Sequence, residues 1–181
     1  SSVTLYQLDV FPADRPLGAE RLPIAVRRPV DLPDGIRFLG YTVDRAALAP
    51  GAARRVNLFW QATAVPAAEY TAFVQLFGRD GSPVAAWEAP PGAAYATGRW
   101  QEGTLIRTQA TVRAPASLPD GAYRLIAGLF RAGDGARLHT ASGADFLDLG
   151  SVTVVGRGHV TAPPQPAHGA DARFGEVARL L

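Results

Sequence analysis

Apolar and polar positions alternate with a period of two along most of this chain, and no segment of useful length before Ala170 carries a helical period. Ile36–Val43 reads as a strand, as does Arg55–Ala62, which sets Val56, Leu58 and Trp60 on one face. Tyr70–Phe77 is largely apolar on both faces, as a central strand should be. Thr104–Arg113 alternates through Leu105, Arg107, Gln109 and Thr111 and belongs near a sheet edge. Pro83–Trp87 and Arg137–Thr140 read as short strands, and Asp145–Val155 closes the fold. Turn pairs punctuate the series: Asp34-Gly35, Pro50-Gly51, Asp80-Gly81 and Asp134-Gly135. Short strands at this spacing predict an all-β, immunoglobulin-like antiparallel β-sandwich.

Its spine is Leu118–Phe130. Pro119, Asp120 and Gly121 make a turn, and Tyr123, Leu125, Ala127 and Leu129 then share one face. Asp-Gly-x-Tyr at the mouth of a strand is the pattern of the tyrosine corner, where a Tyr hydroxyl bonds back to the backbone as the chain crosses between sheets. Leu125 stands where an antibody domain carries its second Cys.

Val3–Val10 alternates as a strand. Phe11–Pro33 holds Pro12, Pro16, Pro23, Pro29 and Pro33, a density that predicts a stiff connector or a strand-edge excursion and excludes a helix. The expected division is 1–35 as strand and connector, 36–156 as the sandwich, and 157–181 as a linker and the start of a next module. Two echoes motivate the last assignment. Ile36–Leu39 matches Ala178–Leu181 at an offset of 142 (178 − 36), each behind an acid, and Ser2-Val3-Thr4-Leu5 resembles Ser151-Val152-Thr153-Val154. Fixed-period self-similarity is the mark of tandem modules. The alternative is a small terminal helix over Gly169–Leu181, with Val3–Val10 pairing inside this domain.

At 181 residues, 48% hydrophobic and 19% charged, the chain can bury a real core. No run of about 18 apolar residues marks a membrane span. Met is absent, from which a longer parent protein is expected. Cys is absent too, which removes disulfides, thiol catalysis and Cys-ligated metal. Every basic side chain is Arg, and the net charge is only +2. The pairs Arg27-Arg28 and Arg54-Arg55 are too sparse for the basic stripe that nucleic acid requires.

A family resemblance rests on Phe38-Leu39-Gly40-Tyr41, Asn57-Leu58-Phe59-Trp60-Gln61-Ala62, Tyr70–Leu76, Tyr95-x-Thr97-x-x-Trp100-x-x-Gly103, Gly121-x-Tyr123-Arg124-Leu125 and Gly135–Leu138. In these the chain, from about Ile36 to Val155, resembles β-sandwich modules appended, often in tandem, after the membrane-spanning part of bacterial glycosyltransferases. Those enzymes are similar to dolichyl-phosphate-mannose–protein mannosyltransferases. The resemblance implies a non-catalytic, extracytoplasmic accessory module, a spacer or a glycan or acceptor contact, joined to a membrane only through its parent. No catalytic residue carries over. Where that pattern often has an Asp after the loop's Gly, this chain has Thr104-Leu105-Ile106-Arg107.

Candidate chemistry gathers in the loop Glu88–Gly103. Trp87, Tyr95 and Trp100 are candidate stacking faces for a sugar, with Glu88, Arg99 and Glu102 placed to bond its hydroxyls. An autonomous carbohydrate-binding module would need all three rings exposed. Packing of Tyr95 and Trp100 against the sandwich is the competing use. Trp60, on an apolar face in mid-strand, reads as core. Glu88 and Glu102 are the one carboxylate pair to weigh as a glycosidase acid and nucleophile, which requires a set separation. His139, His159 and His168 lack metal-ligand spacing, and the Asp-Gly pairs lack the Asp-x-Asp-x-Asp-Gly run of a Ca²⁺ loop. No Ser sits in a Gly-x-Ser-x-Gly elbow, and no cofactor motif is present.

Overall fold

A computed structural model describes residues 18–156 and, as backbone, the short strands Arg173–Phe174 and Ala178–Arg179. Val3–Val10, the Ser2–Leu5 half of the echo with Ser151–Val154, His159 and His168 lie outside these residues. Eight strands form the sandwich: β1 (Val26–Leu32), β2 (Ile36–Val43), β3 (Ala53–Ala62), β4 (Tyr70–Phe77), β5 (Pro83–Ala89), β6 (Leu105–Arg113), β7 (Gly121–Arg131) and β8 (Leu147–Val154). The first sheet runs β1-β2-β3-β6 and the second β5-β4-β7-β8, with every neighbouring pair antiparallel. This is the expected sandwich, with β4 central and β6 at an edge.

Alternation builds the core. Val56, Leu58 and Trp60 of β3 face Tyr70, Ala72, Val74 and Leu76 of β4 and Tyr123, Leu125, Ala127 and Leu129 of β7, and all are buried in one apolar cluster. Tyr123 Oη donates to the Pro119 carbonyl at 2.8 Å, which closes the tyrosine corner. Leu125, which by the sequence pattern stands where an antibody domain carries its second Cys, is 1% exposed in the core. Trp60 is core as expected, although it lies on β3, not on the strand where immunoglobulin domains place their Trp. Its Nε1–H donates to Thr108 Oγ1 on β6 at 2.9 Å, so the buried indole loses no hydrogen bond.

The first sheet starts at Val26, ten residues before the boundary expected at Ile36. Pro29 is compatible with β1 because the strand is at an edge and the register shifts between Arg27 and Val30, so no ladder bond requires its missing N–H. Arg137–Thr140 is not a strand. It contributes one bridge, Phe130 to Arg137, as the β7–β8 connection turns back over the sheet. Within Gly169–Leu181, where a small terminal helix is the alternative, the described residues Arg173–Phe174 and Ala178–Arg179 are antiparallel strands, β9 and β10.

The two faces of β7 have different fates. Its inward residues fill the sandwich, while Ile126 on the outward face is still only 4% exposed. Phe73, on the same outer face of β4, is 1% exposed, and the Arg137 guanidinium lies 4.4 Å from its ring centroid. The β7–β8 connection therefore roofs part of the second sheet. Gly128 makes room beneath: a Cβ there would stand 2.5 Å from Phe73 Cζ.

Removing the corner hydroxyl tests the spine. Tyr123→Phe is expected to cost about 1 kcal/mol, the net worth of one partly buried hydrogen bond, read as a lower urea midpoint at unchanged slope.

Candidate functional site

The aromatic loop between β5 and β6 is bolted down from both ends. At its centre Thr97–Arg99 forms one turn of 3-10 helix. The Thr97 hydroxyl is 1% exposed and accepts the Tyr70 N–H at 2.9 Å. Its single proton has two neighbours, Glu69 Oε2 at 2.8 Å and the Ala68 carbonyl at 3.2 Å, and the shorter, charged acceptor wins. Glu69 also accepts the N–H groups of Thr97 and Gly98 at 2.9 and 3.1 Å. These donors, the Thr97 hydroxyl foremost, hold its carboxyl below the usual range against the opposing effect of burial. Tyr70 then carries the link onward, its hydroxyl 2.8 Å from Asp34 Oδ2 in the β1–β2 turn. Burial first, then that carboxylate, pushes the Tyr70 phenol above its ordinary value.

Trp100 is 0% exposed. Its Nε1–H donates to the Tyr95 carbonyl at 3.2 Å, a bend that brings the Tyr95 carbonyl within 2.4 Å of where a Cβ on residue 92 would be, so Gly92 fits there. Tyr95 is 39% exposed, but its hydroxyl is spent on the Arg99 carbonyl at 2.6 Å. Trp87 is partly buried and packs against the core from β5. Of the two uses open to these rings, packing holds for Trp100, which leaves no three-ring platform: its indole is the largest apolar surface in the loop, and burial of that area outweighs a surface role. Glu88, Arg99 and Glu102 are exposed. Glu88 stands across from Phe73 on the outer face of the second sheet, whereas Glu102 is on the turn into β6 of the first. Among the described residues no three His, Cys, Asp or Glu side chains gather as a metal site, and no helix is long and apolar enough to cross a membrane.

A second feature was not expected from the sequence. Under the β7–β8 roof the outer face of the second sheet carries a groove of about 500 Å³. Phe77, Ile126 and Phe146 supply its apolar surface, and Arg79, Arg124 and Arg137 border it, with Asp145 as the one acid among its lining residues. Arg137 is fixed by Asp145 (3.2 Å), Gln75 Oε1 (3.0 Å) and the Phe73 ring. Arg124 is fixed by Asp148 (2.9 Å) and lies 4.8 Å from the Phe146 ring centroid. Arg79, on the β4–β5 turn, is exposed and has no ion pair among the described residues. Beyond Phe146 a smaller hollow of about 300 Å³ opens between β1 and β8. The only sequence sign of the groove was the unassigned Arg124 in the spine and Arg137 in the resemblance.

No protein-family model and no curated protein matches the chain. Among solved structures it is similar to the C-terminal domain of wzt (TM-score 0.46, 12% identity, covering 67% of this chain and 74% of that one). It is also similar to a Niemann-Pick type C2 protein from Japanese carpenter ant (TM-score 0.42, 9% identity, 65% and 91%). A β-glucuronidase from glycoside hydrolase family 2 aligns over 56% of this chain and 10% of its own (TM-score 0.40, 11% identity). These likenesses concern β-domain architecture alone.

Two measurements check the site. Trp60 and Trp100 are sealed, so acrylamide is expected to quench Trp87 alone, and Trp87→Phe should leave blue, unquenchable emission. Because the Glu69 carboxyl is held low, its share of stability is present above the ordinary carboxylate pKa, about 4.3, and is lost as pH falls through the depressed folded value. Glu69→Gln should therefore lower the urea midpoint at pH 7, and the gap to wild type should close on acidification.

Proposed function

We propose that this chain is a non-catalytic module of a larger extracytoplasmic, glycosyltransferase-like cell-surface protein, repeated in tandem and acting as a rigid spacer. One observation carries the reading. The β1–β2 hairpin pairs Leu32 with Ile36 and Asp31 with Arg37. At the offset of 142 picked out by the sequence echo, β9–β10 pairs Phe174 with Ala178 and Arg173 with Arg179. The same register recurs with the same number of residues between its innermost partners. A hairpin of two paired residues per strand has little stability by itself, and in the sandwich its counterpart is the seed of the first sheet. On this reading Arg173–Arg179 begins a second copy.

The residues behind the family resemblance support a structural role. Tyr41, Trp60, Tyr70, Thr97, Trp100 and Tyr123 are all buried, and each one's side chain makes a hydrogen bond within the fold. The alternative of an autonomous carbohydrate-binding module using the loop aromatics loses its central ring to the core.

Location is directly testable, since the chain has no cysteine and Val65 is 53% exposed on the β3–β4 connection. In the parent protein expressed in bacteria, Val65→Cys is expected to react with a membrane-impermeant maleimide in unbroken cells, above the wild-type background. Labelling only after lysis would overturn the extracytoplasmic reading. The tandem reading has its own check. The parent coding sequence should bring a counterpart of Asn57–Ala62 about 142 residues after it.

A further inference from the structure

The roofed groove on the second sheet joins apolar rings to guanidiniums, and one of these, Arg79, has no ion pair among the described residues. We propose that it binds a carboxylated sugar unit of an acidic glycan. Three guanidiniums border the groove; Arg124 and Arg137 are paired with Asp148 and Asp145, and Arg79 is left without an ion pair among the described residues, so the groove keeps a net positive charge that favours an anion. Arg137 is oriented before any ligand arrives by Asp145, Gln75 and the Phe73 ring, and the more exposed Arg124 by Asp148 and the Phe146 ring, which reduces the cost of ordering them on binding. A guanidinium has five N–H donors in a planar fork; Arg137 commits one to Asp145 and one to Gln75, which leaves three. Such a fork matches the two oxygens of a carboxylate. The half-buried rings of Phe77 and Phe146, with Ile126, give an apolar surface on which the C–H face of a pyranose can rest. About 500 Å³ suits one or two sugar rings, not a folded partner. Arg79, without an ion pair among the described residues, is the exposed cation at the rim. The proposal stands on this geometry and not on cellular location, so a failed labelling experiment leaves it intact.

The test is calorimetric titration of the whole chain with galacturonic acid trisaccharide, its methyl ester and inorganic phosphate. The acid trisaccharide should bind saturably and weaken as salt is raised. Methyl esterification, which keeps shape and removes charge, should cost at least tenfold. Arg79→Glu lies on an exposed turn with no ion pair to lose, so it should fold normally and also cost at least tenfold. Arg137→Lys keeps charge, loses the fork and should weaken binding, whereas Arg99→Ala in the β5–β6 loop should change nothing. Absence of binding to folded protein, equal binding of the ester, or an unaffected Arg79→Glu would each overturn the proposal. Phosphate competing as well as the trisaccharide would show a site that reads charge alone and would overturn the sugar assignment.

Discussion

The hydroxyl of Thr97 is the point on which the loops of this sandwich depend. Its oxygen accepts the N–H of Tyr70 at the start of β4 while its O–H donates to Glu69. Tyr70 in turn reaches Asp34, whose carboxylate also accepts the Ala67 N–H at 2.9 and 3.0 Å. The β1–β2 turn, the β3–β4 crossing between sheets and the β5–β6 loop are thus one hydrogen-bonded unit. Buried donors and acceptors without partners are costly, so loss of any member exposes the others to that penalty. This explains how a loop as long as Glu88–Gly103 stays ordered with a single turn of 3-10 helix: its backbone is satisfied by side chains arriving from elsewhere. A second thread serves the same end, since Thr108, having received the Trp60 N–H, donates to the Pro91 carbonyl at 2.7 Å.

Arginine does what Lys would not do on the outer face of the second sheet. Phe73 and Ile126 there would be an exposed apolar patch if the β7–β8 connection did not cover them. The cover is held by Arg137, which stacks on Phe73 while its fork engages Asp145 and Gln75. A planar, weakly hydrated cation can lie on a ring and bond in its own plane at once; a compact ammonium cannot. The close approach of Phe73 to β7 is possible only because residue 128 is Gly. Roof and groove are consequences of one packing solution.

Where pattern is local, the sequence was readable. Alternation placed the inward faces of β3, β4 and β7, and Asp120-Gly121-x-Tyr123 placed the corner, because each depends on residues within one strand and its turn. β1 was hidden by its prolines: an edge strand with a register shift tolerates Pro29, and nothing local says that an edge is present. Trp100 was ambiguous for another reason. A ring in a loop packs or protrudes according to what lies beneath it, and the core cluster that takes in Trp100 is assembled from strands distant in the chain. The groove was illegible for the same cause, since Arg79, Arg124 and Arg137 meet only when three strands and a connection are assembled.

The two candidate regions differ in how completely their polar groups are used, and that difference decides between them. In the β5–β6 loop the indole N–H, the tyrosine hydroxyl, the threonine hydroxyl and the Glu69 carboxylate are all matched internally. A ligand there would have to displace bonds the fold needs. In the groove Arg124 and Arg137 keep donors free after their bonds to Asp148, Asp145 and Gln75 are made, and Arg79 has no ion pair among the described residues. An anion can take up the donors left free in the groove, while the loop offers no comparable gain. A spacer requires only the satisfied region. The unsatisfied one is therefore where selection for a ligand would leave its mark on a fold that is otherwise closed upon itself.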